Sequence, residues 1–547
     1  MAKTVCIVTN ARIYTMDPEQ PNATAMAIGR DGRLNAIGSD SEVGAMGGAG
    51  VRRIDMRGRC VIPGFFDCHL HMLWLGTNLL QVDLSSPPVT NIEGIVSLLS
   101  ARLDAEPEIA CVSGNRYDQN KLAEKVHPDR NDLDRVATDR PVRIVHTSGH
   151  AAVVNSYALN AMGIDRSTPD PMGGEIVRDG AGEPTGVLLE TASWSWLDKI
   201  IPKATRPENV AALARASEYM LARGITSASD AHTDPADIAL YQEAVLRKVL
   251  RVRTGLMVGW PELIQFADGA YGRDPRPDDV QPEGCNWHEL HVGQAKLFSD
   301  GAITTRTCWL TEPFVGMPEN YGMPLHDPEE LIELICRAHD QGWQIATHAI
   351  GDRAVDLVLT AYAQAQARNT RRKPGHRIEH CMLLDKGLIS RLRRQNVWSI
   401  GQPEFLSQLG DAYITGLGEE RAFRLSPYAS LDENGVAQAF SSDCPVVPGA
   451  PLAGIRAAVD RRTPNGVVLN AAERISADAA FYAYTAAPAY ATRTERDRGS
   501  LTSGKFADFI VLSADPLQSE EDFAALDDLA VLATFVGGEC LYGEAEL

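Results

Sequence analysis

Val61-Ile62-Pro63-Gly64-Phe65-Phe66-Asp67-Cys68-His69-Leu70-His71 is an apolar run that ends in two histidines one residue apart. In an extended strand alternate side chains share a face, so Asp67, His69 and His71 point one way while Cys68 and Leu70 point the other. Two imidazoles at that spacing can chelate one ion. Downstream, short apolar or β-branched runs recur at 225–230, 251–258, 292–298, 344–348, 377–380, 397–401 and 437–442, with amphipathic helical stretches between them. With 64–71 they make eight. Eight strands alternating with helices predict parallel βα units closed into a TIM-type (β/α)8 barrel, an α/β fold whose active site lies at the carboxyl ends of its strands. Lys296, His348, His380 and Asp443 each fall at or just past such an end.

The rest of the chain frames this barrel. Residues Val5 to Ala36 alternate apolar and polar positions around the turn Gly29-Arg30-Asp31-Gly32, and Phe506 to Cys540 holds two more strand-like runs before Gly537-Gly538. Neither end has enough strands for its own core, which predicts a small β-sandwich built from both termini, 1–63 with 491–547. The barrel takes 64–75 and 201–490. The span 76–200 is too long for a loop and carries the strand-like Val142-Arg143-Ile144-Val145, so it reads as an inserted domain roofing the site. Within the barrel, Thr205 and Glu208 suggest a capping box, Val210, Leu213, Ala214 and Leu221 share one helix face, and Gly224 ends that helix. Arg371-Arg372-Lys373 is a solvated basic turn.

Composition narrows the function. The charge of −20, from 72 acidic against 52 basic residues, lacks the clustered cations of a nucleic-acid surface, so a small molecule is the expected partner and no nucleic acid. No leader pattern precedes the first strand and no stretch is long and apolar enough for a membrane. The ten cysteines form no CxxC pair, which predicts free thiols and a cytoplasmic location. Association into a homo-oligomer is left open.

Alone, the His69/His71 pair is read equally well as two unrelated histidines at a polar rim, and His348 and His380, taken singly, are more often structural. Lys296 is harder to dismiss. It follows Val292-Gly293-Gln294-Ala295, and an unpaired ammonium there is costly to bury, so it is paired (with Asp300, for example), neutral or modified. A neutral lysine beside two divalent ions can add carbon dioxide, giving a carbamate whose oxygens bridge them. Asp443, in Ser441-Ser442-Asp443-Cys444-Pro445, is either a turn cap before proline or the base that takes a proton from water.

Together with Ala295-Lys296-Leu297-Phe298-Ser299-Asp300-Gly301, Thr347-His348-Ala349-Ile350-Gly351-Asp352, Ile378-Glu379-His380 and Ser441-Ser442-Asp443, the opening run resembles the metal-dependent amidohydrolase superfamily. It resembles the branch containing N-substituted formamide deformylase. The likeness extends to Gly499-Ser500-Leu501-Thr502-Ser503-Gly504-Lys505-Phe506-Ala507-Asp508 near the other end. It implies that His69 and His71 hold the more buried ion with Asp443, that carbamylated Lys296 bridges, and that His348 and His380 hold a second. One or two divalent metals are implied, Zn2+ being the usual one. The implied reaction is hydrolysis of an amide-type C–N bond, N-formyl or N-acyl, by activated water with Asp443 as general base. A cyclic-amide hydrolase or deaminase on the same scaffold is the alternative, and a scaffold relative without catalysis a further one. Lys296 leans against the mononuclear deaminases, which resemble a lysine-free pattern. His150 and Asn155, in Ser148-Gly149-His150-Ala151-Ala152-Val153-Val154-Asn155, resemble a family segment reaching the substrate; Arg306 and Trp74 are further candidates for its pocket, and His232 for its mouth. Cys68, Cys381 and Cys444 stand beside ligands and should face away by strand alternation.

Overall fold

The computed structural model describes residues 2–46, 48, 50–195, 204–267, 274–370, 375–517, 526 and 528–544. All eight predicted runs form strands of a single parallel sheet. They are β1 (Phe65–Leu70), β2 (Ile225–Thr233), β3 (Arg253–Gly259), β4 (Leu290–Phe298), β5 (Gln344–Ala349), β6 (Arg377–His380), β7 (Trp398–Gly401) and β8 (Gln438–Phe440). Their order in space is their order in the chain, each paired in parallel with the next. Burial on both faces explains the near-continuous apolar runs: every residue of β1, β3 and β5 is buried.

The first and last strands share no ladder, but their ends are tied. Asp443 N–H donates to the His69 carbonyl at 2.7 Å, and Ser442 donates its N–H and its hydroxyl to the Asp67 carboxylate at 3.1 and 2.5 Å. The sheet is therefore nearly barrel-shaped, as in a TIM-type barrel. Asp67, expected to share the histidines' face, is spent on this seam.

The helix predicted from the Thr205 signal runs Arg206–Leu221. Glu208 accepts from the Thr205 N–H and hydroxyl at 2.6 and 2.7 Å. Val210, Leu213 and Leu221 are buried against the barrel as expected, whereas Ala214 is only half-buried and Ala216 and Met220 complete the face. Gly224 follows in the left-handed region at φ 78°.

Between β1 and β2 the chain builds a separate six-stranded sheet in the order 174–178, 184–190, 151–154, 142–146, 112–117, 82–83, with its own apolar clusters. The two ends of the chain meet in another sheet, where Phe509–Leu512 lies antiparallel to Cys60–Pro63. A four-stranded sheet containing Thr4–Thr9 and Ala25–Gly29 shares its core: Val8, Met26 and Ile28 pack in one cluster with Val61, Phe509 and Phe535. The expected boundary at 200/201 and the basic turn 371–373 lie outside the described residues. All ten cysteines are free thiols. Among the described residues no helix is long and apolar enough to cross a membrane.

Candidate metal centre

The strand ends bring the predicted residues together. His69 at the end of β1, His380 at the end of β6 and Asp443 just past β8 offer ligand atoms within 4.8 Å of one another, and all three are buried. Asp443 Oδ1 lies 3.3 Å from His69 Nε2 and 3.1 Å from His71 Nε2, yet makes no hydrogen bond. His348, at the end of β5, places its ring 4.5 Å from that of His380. Two of the clustered residues owe their aim to the backbone: His380 and Asp443 hold φ of 71° and 59°, a left-handed conformation that non-glycine residues adopt at a cost.

Lys296 points into the same space. It is 1% exposed, its Nζ has no hydrogen-bond partner, and burial pushes its pKa down to about 8. The ion pair with Asp300 does not form. Asp300 instead accepts the N–H groups of Trp309, Ile350 and Gly351 at 2.9, 3.1 and 2.9 Å, bracing the turn after His348.

Hydrogen bonds fix which imidazole nitrogen faces inward. His69 Nδ1 sits 2.5 Å from Glu379 Oε2, which leaves Nε2 toward Asp443. His380 Nδ1 donates to Gln402 Oε1 at 2.8 Å; that amide's nitrogen is used by Ile400 O and Ser441 Oγ. His348 Nε2 donates to the Gly301 carbonyl at 3.1 Å, so its Nδ1 keeps the lone pair. Burial pushes His348 and His71 below the ordinary imidazole value and His380 down to about 3, which favours the neutral form a metal needs. Burial opposes the charge on Asp443, but His69 and His71 outweigh it and hold that carboxyl well below the usual carboxylate range.

Behind His69 lies an ion pair not assigned a role from sequence. Arg377 and Glu379, both fully buried, meet through two hydrogen bonds of 2.6 and 2.8 Å, and Arg377 also donates to the Cys68 carbonyl at 2.8 Å. Two opposite charges one residue apart in the short run Arg377-Ile378-Glu379-His380 share a strand face, which was the available signal. Orienting partners of this kind tune metal ligands.

The remaining candidates separate cleanly. Trp74 and His150 line a cavity that also touches His71 and Lys296, and His232 lines it 3.4 Å from Glu262. His150 Nδ1 is held 2.6 Å from Glu190 Oε2; burial disfavours its charged form, yet Glu190 raises its pKa overall. Arg306 does not line the cavity. Its guanidinium donates to the Ile303 carbonyl at 2.9 Å and burial lowers its pKa. Asn155 is also removed from it: the side chain is fully buried, accepts from Val142 N and Ala158 N at 3.2 and 3.0 Å, and donates to the Ala137 and Arg140 carbonyls at 2.8 and 2.9 Å. It caps the helix Ser156–Met162. Asn155→Ala is therefore expected to cost about 2–3 kcal/mol of stability, from the lost cap and the stranded backbone groups. Paired thermal melts and turnover numbers check this, with kcat expected within twofold. Cys68, Cys381 and Cys444 line neither this cavity nor the smaller one beside Asp443, and burial pushes the first two thiols up to about 12 and the third well above its ordinary value.

The imidazoles of His71, His348 and His380, whose burial disfavours charge, a carboxylate without a hydrogen bond on Oδ1 and a lysine amine without a hydrogen-bond partner suit a divalent cation. Fold and site thus define a near-barrel with a candidate metal centre at its strand ends. The family model described as the amidohydrolase family matches residues 52–542, and the chain belongs to that family. It is a hydrolase of carbon-nitrogen bonds other than peptide bonds. A protein of Arabidopsis thaliana named LONG AFTER FAR-RED 3 is 32% identical over 553 residues, spanning 98% of this chain and 91% of that one. N-substituted formamide deformylase of Arthrobacter pascens is 29% identical over 543 residues, spanning 98% of each. Among solved structures, an uncharacterized metal-dependent hydrolase from Pyrococcus horikoshii OT3 superposes with a TM-score of 0.74 at 26% identity, over 94% of this chain and 98% of that one.

Proposed function

We propose that this protein hydrolyses the C–N bond of a small amide, of the N-formyl or N-acyl type, with Asp443 as general base. The observation that carries this is the convergence of His69, His380 and Asp443 around unpaired Asp443 Oδ1, with Lys296 Nζ orphaned beside them. The 29%-identical deformylase supports the N-formyl branch of the reading. In this reading His69 and His71 would hold one ion with Asp443, His348 and His380 would hold another, and Lys296 would serve both as its carbamate. Zinc fits the histidine-rich set. When bound, such an ion supplies Lewis acidity and brings the pKa of a water toward neutrality. Asp443 would hold the attacking water, take its proton and return it to the leaving amine, while the Glu379 hydrogen bond keeps His69 Nε2 inward. The segment 76–200 roofs the cavity through His150, and the terminal strands form a composite β-sandwich; both divisions are part of the proposal. Cytoplasmic residence is the expected setting.

Two measurements test this. Elemental analysis of protein made with zinc and bicarbonate is expected to give about two ions per chain. Lys296→Ala is expected to halve that content and lower kcat at least a hundredfold. A panel of N-formyl, N-acyl and cyclic amides then reads the substrate class. Metal-free parent protein, or no hydrolysis across the panel, would sink the proposal.

A further inference from the structure

Two unequal cavities flank the candidate ligands. The larger, open to the centre of a water-sized sphere over about 700 Å3, touches His71 and Lys296. The smaller, about 20 Å3 by the same measure, touches His348, His380 and Asp443. Ser148 and His150 line both, which sets the two side by side at the candidate ligands. A space of 20 Å3 holds one water-sized group, which is the size of a methyl and not of a longer chain. Ile303, Met382, Phe405, Leu409 and Val446 wall it with buried apolar side chains.

One wall is different. Tyr413 is 3% exposed, lines the small chamber, and its hydroxyl makes no hydrogen bond among the described residues. A buried phenol usually finds a partner: Tyr362 donates to the Arg377 carbonyl at 2.9 Å and Tyr484 to that of Ser441 at 3.1 Å, and although the Tyr241 and Tyr428 hydroxyls also lack one, neither of those lines this chamber. Tyr413 therefore offers an unused donor beside Asp443, in a space too small for most ligands.

We infer that the small chamber is the acyl subsite, admitting the hydrogen of a formyl or the methyl of an acetyl group, and that the Tyr413 hydroxyl donates a hydrogen bond to the scissile carbonyl oxygen. This rests on the amide reading above. Water adds its oxygen to the carbonyl carbon and gives one proton to Asp443, the C–N bond breaks as the amine takes that proton, and the acid's remaining proton passes to the amine, so that a carboxylate and an ammonium leave. Tyr413 transfers no proton; it stabilises charge on the oxygen as the carbon becomes tetrahedral. The amine portion of the substrate lies in the 700 Å3 cavity, where Trp74 gives it an apolar wall and size is not limiting.

The test uses zinc-loaded protein and two kinds of probe. By calorimetry, formate is expected to bind at least tenfold more tightly than butanoate. Leu409→Ala, with Leu409→Val as the milder variant, is expected to bring that ratio below threefold. Tyr413→Phe, which keeps the ring, is expected to weaken formate binding at least tenfold at unchanged zinc content. On N-formylbenzylamine it should lower kcat about a hundredfold with KM within threefold, the loss typical of one oxyanion donor. Equal affinity of the parent for formate and butanoate, or Tyr413→Phe matching the parent in formate binding, overturns the inference. Carboxylate discrimination without hydrolysis of N-formyl- or N-butanoylbenzylamine would retain the chamber and reject the amide reading; hydrolysis of both amides at equal rates would do the reverse.

Discussion

Replacing Asp443 by asparagine is expected to lower kcat by about three orders of magnitude while zinc content stays near that of the parent. The two effects separate because the carboxylate has two duties. As a ligand it presents Oδ1 between His69 and His71, at 3.3 and 3.1 Å, and an asparagine can present its amide oxygen at the same place. As a base it takes a proton, which an amide cannot do; general acid-base catalysis contributes about 10²–10⁴-fold. The fold tolerates the change. Residue 443 holds φ 59°, a region that asparagine enters as readily as aspartate, and its backbone N–H keeps the bond to His69 O. The measurement is kcat on the best amide of the panel beside elemental analysis. Activity within tenfold of the parent at full metal content would remove Asp443 from the base role. Asp443→Ala is the contrast, expected to lose zinc as well as turnover because no ligand atom replaces the carboxylate.

The barrel was legible because its strands are buried on both faces and so stand out as dense runs. Ile345-Ala346-Thr347 and Val292 to Phe298 give the strand itself, although not its full span: β2 continues to Thr233 and β4 starts at Leu290. The histidines, Lys296 and Asp443 were legible because each interrupts or ends such a run with a group that is costly to bury. Backbone conformation was not. Alternation places Glu379 and His380 on opposite faces, yet the left-handed turn at His380 swings its ring toward His69, 5.1 Å away between centroids, while Glu379 reaches His69 from behind. The capping place of Asn155 was hidden for a related reason. An asparagine that satisfies four backbone groups across a turn is indistinguishable, in one sequence, from one that faces a ligand. Tyr413 carries no local signal, since a tyrosine within a helix such as Glu404–Leu417 is ordinary core until its hydroxyl is found without a partner.

The second large effect is expected at Arg377. With Glu379 at its side and no exposure for either, Arg377→Met leaves a carboxylate buried without its counter-charge, and breaking such a pair costs about 3–5 kcal/mol. The urea midpoint should fall accordingly. Removing the stranded charge should recover much of the loss, so Arg377→Met with Glu379→Gln is expected to be more stable than Arg377→Met alone, the non-additivity that marks a coupled pair. The pH dependence reverses sign between parent and variant. In the parent, burial alone would raise Glu379, but Arg377 and His69 hold its carboxyl well below the usual range. Its contribution is therefore present above the unfolded carboxyl pKa of about 4.3 and is lost as pH falls below it. In Arg377→Met the burial remains and the cation is gone, so the folded pKa rises above the unfolded one. The folded state then binds more protons than the unfolded, and stability falls as pH rises from about 4.3 through the raised value. Urea midpoints at pH 5 and pH 8 distinguish the cases: the variant's deficit relative to the parent should be smaller at pH 5. A deficit that does not change between those pH values would mean that water or rearrangement already solvates Glu379, and that the pair orients His69 without holding the barrel together.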